Sequence, residues 1–378
     1  MRLLVSAGEA SGELYGAGLV LALRRRVPDL ECFGVGGEQM RAAGCDTVVD
    51  ARTLSVVGIT EVVSHLPRIY REFRRLVRAA DERKPDAAIV IDSPGFNFRV
   101  ARAMHQRGVP VIYYVCPQLW AWREQRVSRF HKWIKKALVI FPFEEKWYRE
   151  HGVDAEYVGH PLADVPPPSL SREGFAAKYG LDPARQWVAL LPGSRKKEIS
   201  MNLPALLAGA GRVQGKYEFI LPAASTVERP WLEDRVRNSG LKLRVVEGAS
   251  SALVHARAAV VASGTATVEA ALMGTPMVVV YRVSTLTWAL GHHLLKVPYV
   301  AMPNLIAGEQ VVPELIQSDF TPENVAAHLE EILAEGPARE KMMGALAKVR
   351  ERLRPSGETG TAADRAAQAV LRALQTSK

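Results

Sequence analysis

Cysteine is scarce in this chain. Cys32, Cys45 and Cys116 form no C-x-x-C pair and have no histidine at metal-ligand spacing, which argues against a zinc site and leaves them as reduced core or near-core residues. Long apolar runs are missing too. Leu3-Leu4-Val5 is stopped by Glu9 before it can serve as a leader, and no later run approaches the roughly 20 residues that cross a bilayer, so a cytoplasmic protein is expected. There is no P-loop. The nearest approach to a dinucleotide fingerprint, Gly34-Val35-Gly36-Gly37, fails G-x-G-x-x-G because position 39 is Gln. No internal repeat is visible, and no low-complexity tract beyond one short proline run.

What remains reads as a folded protein of ordinary composition. At 378 residues the chain is longer than one hydrophobic core usually spans, and 48% hydrophobic with 24% charged residues excludes disorder and fibrous repeats. A net charge of +9 calls for an anionic partner: nucleic acid, a phosphorylated substrate or an acidic membrane. Charge alone does not choose among them.

Short aliphatic runs alternate with helical patterns, the signature of parallel sheets covered by crossover helices. Strands are expected at 3–6, 31–35, 87–92, 111–115, 137–140 and 156–158, and again at 188–191, 218–221, 243–246, 259–262 and 277–280. Ser11 is placed as the N-cap of a helix reaching Arg26, and 66–83 reads as helical. Between the two series, Asp164-Val165-Pro166-Pro167-Pro168 is a stiff segment suited to a linker. The expected division is therefore 1–165, 166–354 and a C-terminal helical segment 355–378 that stays with the second domain, crosses back to the first or pairs with another subunit. Ligands of open α/β sheets bind beyond the carboxyl ends of the strands, and two such sheets can face each other across one cleft.

Two strand-to-helix turns in the second half suit a diphosphate. Ser263-Gly264-Thr265-Ala266-Thr267 puts small residues and hydroxyls at a helix start, where N–H groups and the helix dipole favour an anion. Glu269 follows one turn later, in reach of ribose hydroxyls. Pro192-Gly193-Ser194-Arg195 is the second turn, with Ser194 at the bend and Arg195 as a forked phosphate donor. Standing alone, the first segment is an ordinary capped helix, and Lys196 and Lys197 after the second are solvated surface charges. In the first half, Glu9 and Ser11 follow the first strand, as cleft residues or simply as loop and cap. Asp92 ends an apolar strand before Ser93-Pro94-Gly95-Phe96-Asn97, where a general base belongs, the rival being an N-cap, a role that suits Asn97 better. Trp122 lies in an aromatic loop at 113–123. Arg68, Arg71 and Arg75 recur at helical spacing, and Arg126, Arg129 and Lys132 are interleaved with Trp133. Basic residues beside tryptophan suit an anionic membrane interface, although a charge run is more often a solvated face.

Assembled, these residues resemble the lipid-A-disaccharide synthases, inverting glycosyltransferases of the GT-B class with two Rossmann-like domains. The resemblance runs nearly end to end through Ala7-Gly8-Glu9-Ala10-Ser11-Gly12, Val57-Gly58-Ile59-Thr60-Glu61-Val62, Asp92-Ser93-Pro94-Gly95-Phe96-Asn97, Trp120-Ala121-Trp122-Arg123, Gly159-His160-Pro161, Leu191-Pro192-Gly193-Ser194-Arg195, Ala262-Ser263-Gly264-Thr265-Ala266 and Met302-Pro303-Asn304-Leu305. It implies condensation of UDP-2,3-diacylglucosamine with 2,3-diacylglucosamine 1-phosphate (lipid X), giving the β-1,6-linked disaccharide 1-phosphate and UDP. It further implies functional importance for Asp92, Glu9, Arg195 and Asn304, no cofactor or metal, no nucleic acid, attachment to an anionic inner-membrane surface, and a homodimer with exchanged C-terminal elements. Two positions depart from the pattern. Gly95 stands where some relatives carry a second aspartate, and Glu13 where aspartate is common. Whether Asp92 or Glu9 is the base stays open. The rival readings are another UDP-sugar enzyme of this fold, such as a UDP-N-acetylglucosamine 2-epimerase, and a non-catalytic membrane-binding protein.

Overall fold

A computed structural model describes residues 1–54, 59–122, 124–224, 226–284, 288, 296–357 and 359–375, with the side chains of Ala10 and of 59–65 left out. The chain divides into two compact units, one of Met1–Asp164 joined by the segment from Leu353, the other of Val165–Arg352.

The first unit is built on seven strands: β1 Arg2–Ala7, β2 Glu31–Gly36, β3 Asp46–Asp50, β4 Ala87–Ile91, β5 Val111–Tyr114, β6 Lys136–Val139 and β7 Ala155–Tyr157. They pair in parallel in the order β3-β2-β1-β4-β5-β6-β7. Central β4, Ala-Ala-Ile-Val-Ile, is buried at every position, as a parallel strand covered on both faces must be. The second unit repeats the scheme with β8 Trp187–Leu191, β9 Glu218–Ala223, β10 Leu243–Glu247, β11 Ala258–Ala262, β12 Met277–Tyr281 and β13 Glu314–Ile316, ordered β10-β9-β8-β11-β12-β13. In each sheet the chain first winds one way and then the other. The reversal falls between β1 and β4, where Ala7 stands beside Ile91, and between β8 and β11, where Leu191 stands beside Val261. Those two places are the topological switch points at which open α/β sheets take ligands.

The eleven expected strands are all present. Missing from the sequence reading are β3 and β13, short edge strands that pair with one neighbour each and need no continuous apolar run. The cysteine reading is corrected. Cys32 and Cys45 form a disulfide with their Cα atoms 4.7 Å apart, and only Cys116 is free and buried. The cause is register: β2 pairs Phe33 with Asp46, which sets the preceding residues, Cys32 and Cys45, side by side. Local spacing carries no trace of this.

Helix starts also shift. The first helix spans Ala10–Arg26 with Glu9 as its extended N-cap, so Ser11 lies inside it and caps nothing. The next long helix is Ile59–Arg83, with Pro67 in its interior. Beyond β4, Ser93 precedes helix Pro94–His105, and Asn97 is buried within that helix rather than capping it. The terminal helix Ala362–Gln375 packs on Ala10–Arg26, with Asp364 2.9 Å from the guanidinium nitrogens of both Arg25 and Arg26. Among the described residues no helix is long and apolar enough to cross a membrane.

Candidate active site

In the first unit the loops after β1 and β4 meet at the switch point. A side chain at Gly8 would lie 3.1 Å from Ser93 Oγ, so this glycine permits the close approach of the two loops. Asp92 and Ser93 both adopt left-handed backbone, with φ of 50° and 46°. Two donors grip the Asp92 carbonyl: Asn97 Nδ2 at 2.8 Å and the Tyr113 hydroxyl at 2.7 Å. Asn97 Nδ2 also donates to the Ile91 carbonyl at 2.8 Å, while its Oδ1 accepts from the Ser6 hydroxyl at 2.7 Å. Asn97 therefore acts as an internal clamp on the strand end and has no atoms to spare for an acceptor sugar. Burial raises the Tyr113 phenol pKa well above its usual value, and the charges of Cys116, Asp92 and Glu9 add to that. Glu9 and Asp92 follow β1 and β4, the strands on the two sides of the switch point. That is a suitable arrangement for taking a proton.

Next to β4, the turn after β5 carries Leu119–Trp122. Trp122 is 46% exposed. Its neighbour Trp120 is buried and donates its indole N–H to Glu144 at 3.0 Å. Glu144, wholly buried, also accepts from the Phe141 N–H at 3.1 Å; burial pushes its carboxyl up to about 7. Sequence reading missed Glu144 because nothing in Phe141-Pro142-Phe143-Glu144 distinguishes it from a surface acid. Trp133, expected at a membrane face, instead packs on Phe98 with centroids 6.5 Å apart, and Arg129 lies over the same ring at 5.2 Å. Helix Val127–Trp133 is only seven residues long and turns that side to the core. Lys132 stays exposed and Arg126 half-buried, whereas Arg68, Arg71 and Arg75 are all exposed on Ile59–Arg83.

In the second unit, helix Thr265–Met273 starts at Gly264, whose φ of 145° is open to glycine alone. The Ser263 hydroxyl donates to the Val300 carbonyl at 2.9 Å, and Thr267, fully buried, donates to the Gly264 carbonyl at 2.7 Å. These two hydroxyl protons are spent internally. What the turn presents outward are Gly264, the exposed Thr265 and the N–H groups of Thr265 and Ala266 at the helix start; the Thr267 N–H is already bonded to the Gly264 carbonyl at 3.0 Å. Glu269 turns toward helix Ala249–His255, accepting from the Ser250 hydroxyl at 2.9 Å, and burial raises its pKa. Asn304 is buried and saturated: it donates to the Val312 carbonyl and to Glu314, and accepts from the N–H groups of Val311 and Val312. It shapes the loop and offers nothing to a ligand.

Beside it, the turn after β8 leads into helix Lys196–Ala210. Glu198 folds back over this turn, its Oε2 accepting from the Ser194 N–H at 3.1 Å and its Oε1 lying 3.1 Å from Arg195 Nη1. Arg195 remains 62% exposed. Glu198 is a second residue the sequence reading passed over. No group of three metal-ligating side chains gathers among the described residues.

Each switch point is thus flanked by two of the turns singled out in the sequence. A family profile described as Lipid-A-disaccharide synthetase matches residues 3–370. The chain belongs to this family. It is 52% identical to the lipid-A-disaccharide synthase of Koribacter versatilis (strain Ellin345) over 99% of both chains, and 46% identical to that of Myxococcus xanthus (strain DK1622) over 99% of this chain and 97% of the relative. As a lipid-A-disaccharide synthase it is a glycosyltransferase of lipid A biosynthesis. The fold is GT-B. CalG4, the calicheamicin glycosyltransferase, superposes with a TM-score of 0.59 at 17% identity, covering 99% of this chain and 98% of its own. The UDP-GlcNAc 2-epimerase from Neisseria meningitidis reaches 0.66 at 11% identity over the whole of both chains, a likeness of fold alone.

Proposed function

We propose that the chain joins UDP-2,3-diacylglucosamine to 2,3-diacylglucosamine 1-phosphate in one in-line displacement, with Asp92 as the base. The acceptor 6-hydroxyl gives its proton to the Asp92 carboxylate as its oxygen bonds the donor's anomeric carbon. The bond from that carbon to the diphosphate breaks, and its electron pair leaves with UDP. Inversion at the anomeric carbon follows from the single displacement. The leaving diphosphate is met by the helix start at Gly264 and Thr265 and by Arg195. The observation that carries this reading is the pairing of turns at the switch points: acids flank one, anion-binding turns flank the other. Glu9, at the end of the loop after β1, is the second acid of this switch point.

Attachment to an anionic membrane surface belongs to the same reading. Arg68, Arg71 and Arg75 stand exposed on one helix together with Leu66 and Tyr70, beside an apolar groove of about 530 Å³ lined by Ile69, Phe73 and Phe96 and flanked by Arg99 and Arg102.

The mechanism is tested with Asp92→Asn. Loss of a general base costs roughly 100- to 10,000-fold in rate. Disaccharide formation from the two purified lipid substrates should fall by that much with UDP binding retained. Activity within a few-fold of wild type removes Asp92 from the role.

A further inference from the structure

We infer that Glu198 is a positioning residue that competes with a nucleotide diphosphate for Arg195, so that donor binding exchanges one anion for another at this turn. The inference rests on reading the turn after β8 as part of the diphosphate site. The two oxygens of Glu198 do separate work. Oε2 accepts from the N–H groups of Ser194 at 3.1 Å and Arg195 at 3.3 Å, the donors that a helix start offers to an anion, while Oε1 holds the guanidinium at 3.1 Å. The carboxylate is thus a built-in anion. Gly193 makes its position possible: with φ of 129°, a side chain there would lie 2.8 Å from Glu198 Cβ.

The turn does not depend on Glu198 alone. Asn202, buried on the same helix, donates to the Pro192 carbonyl at 2.8 Å, and the Thr226 hydroxyl donates to the Ser194 carbonyl. These braces hold the loop while the anion changes. Both partners of the ion pair reach solvent, with 62% and 38% of their side chains exposed, so the pair is weak and easily exchanged. A diphosphate brings more charge and more acceptor oxygens to the same donors. The pair also lies within the field of the sheet's carboxyl end. The Tyr281 phenol, closing β12, has its pKa raised by burial and then by Glu198, and lowered by Arg195.

Glu198→Gln separates the two jobs. A glutamine carbonyl in the Oε2 position keeps both backbone N–H bonds, while its amide group faces Arg195 and cannot accept from it. By calorimetry on the full chain at low salt, UDP should bind about two- to fivefold more tightly to Glu198→Gln than to wild type, the range expected for releasing an exposed ion pair. The gain should fade as salt is raised, and uridine, which lacks the diphosphate, should bind both proteins equally. Unchanged or weaker UDP binding by a folded Glu198→Gln overturns the inference, as does a parallel shift for uridine, the mark of a merely structural role. Arg195→Ala keeps the underlying reading separate. Weakened UDP binding there, without tightening in Glu198→Gln, sinks the exchange alone, whereas UDP affinity unchanged by Arg195→Ala sinks the diphosphate reading and the exchange with it.

Discussion

Asp92 and Ser93 occupy left-handed backbone in succession, a strain of about 1–3 kcal/mol for each non-glycine residue. Hydrogen bonds hold them there: Asn97 and Tyr113 on the Asp92 carbonyl, and Ser6 on Asn97 in turn. The candidate base thus sits on backbone that cannot relax without breaking a buried network. Glu144 is the other residue under tension. Burial raises its carboxyl from 4.5 to about 7, against the opposing donors Trp120, Phe141 and Ile140. Between those values the folded chain holds the proton and the unfolded chain does not. Its contribution therefore favours the fold at low pH and is lost as pH rises through about 7. Between pH 5 and pH 8 the stability advantage of wild type over Glu144→Gln should shrink by roughly 2–3 kcal/mol, measured by denaturant unfolding. A constant difference between the two proteins would show that Glu144 titrates normally.

Among the elements, the strand-to-helix turns carry the chemistry, and their glycines are there for backbone reasons. At Gly264 a side chain would meet nothing within 4 Å, yet φ is 145°. Gly264→Ala should cost about 1–3 kcal/mol of strain, or rotate the turn and turn its N–H groups away from an anion. Either outcome predicts a lower melting temperature together with weaker UDP binding. Wild-type values for both would mean that the turn tolerates a side chain and that its shape is not what binds. The hydroxyls around it show why composition misleads at this level. Ser263 and Thr267 look like phosphate donors in sequence, but both hydroxyls are drawn inward, Ser263 to the Val300 carbonyl and Thr267 back to the Gly264 carbonyl.

For the whole molecule, the net charge of +9 and the exposed arginines of Ile59–Arg83 predict binding to anionic lipid. Each basic residue near such a surface contributes about 1 kcal/mol, so replacing Arg68, Arg71 and Arg75 together by glutamine should weaken sedimentation with anionic vesicles by roughly 100-fold or more. Unaltered sedimentation would assign attachment to another face. The sequence by itself determined the fold class, because β-branched runs alternating with helical patterns admit little besides parallel sheets, and the family, because its motifs lie along nearly the whole chain. Neither needs a distant contact to be recognised. Only the tertiary structure decided which polar groups are spent. Asn97, Asn304 and Thr267 share motifs with site residues yet find every partner inside, and Glu144 reads as a surface acid until the fold brings Trp120 to it and buries both. The Cys32–Cys45 bond belongs to the same class, since the register of β2 on β3 brings the two together. Hydrophobic pattern is written locally along the chain, whereas partners such as Ser6 for Asn97, Trp120 for Glu144 and Cys45 for Cys32 come from segments that meet only when the sheet assembles.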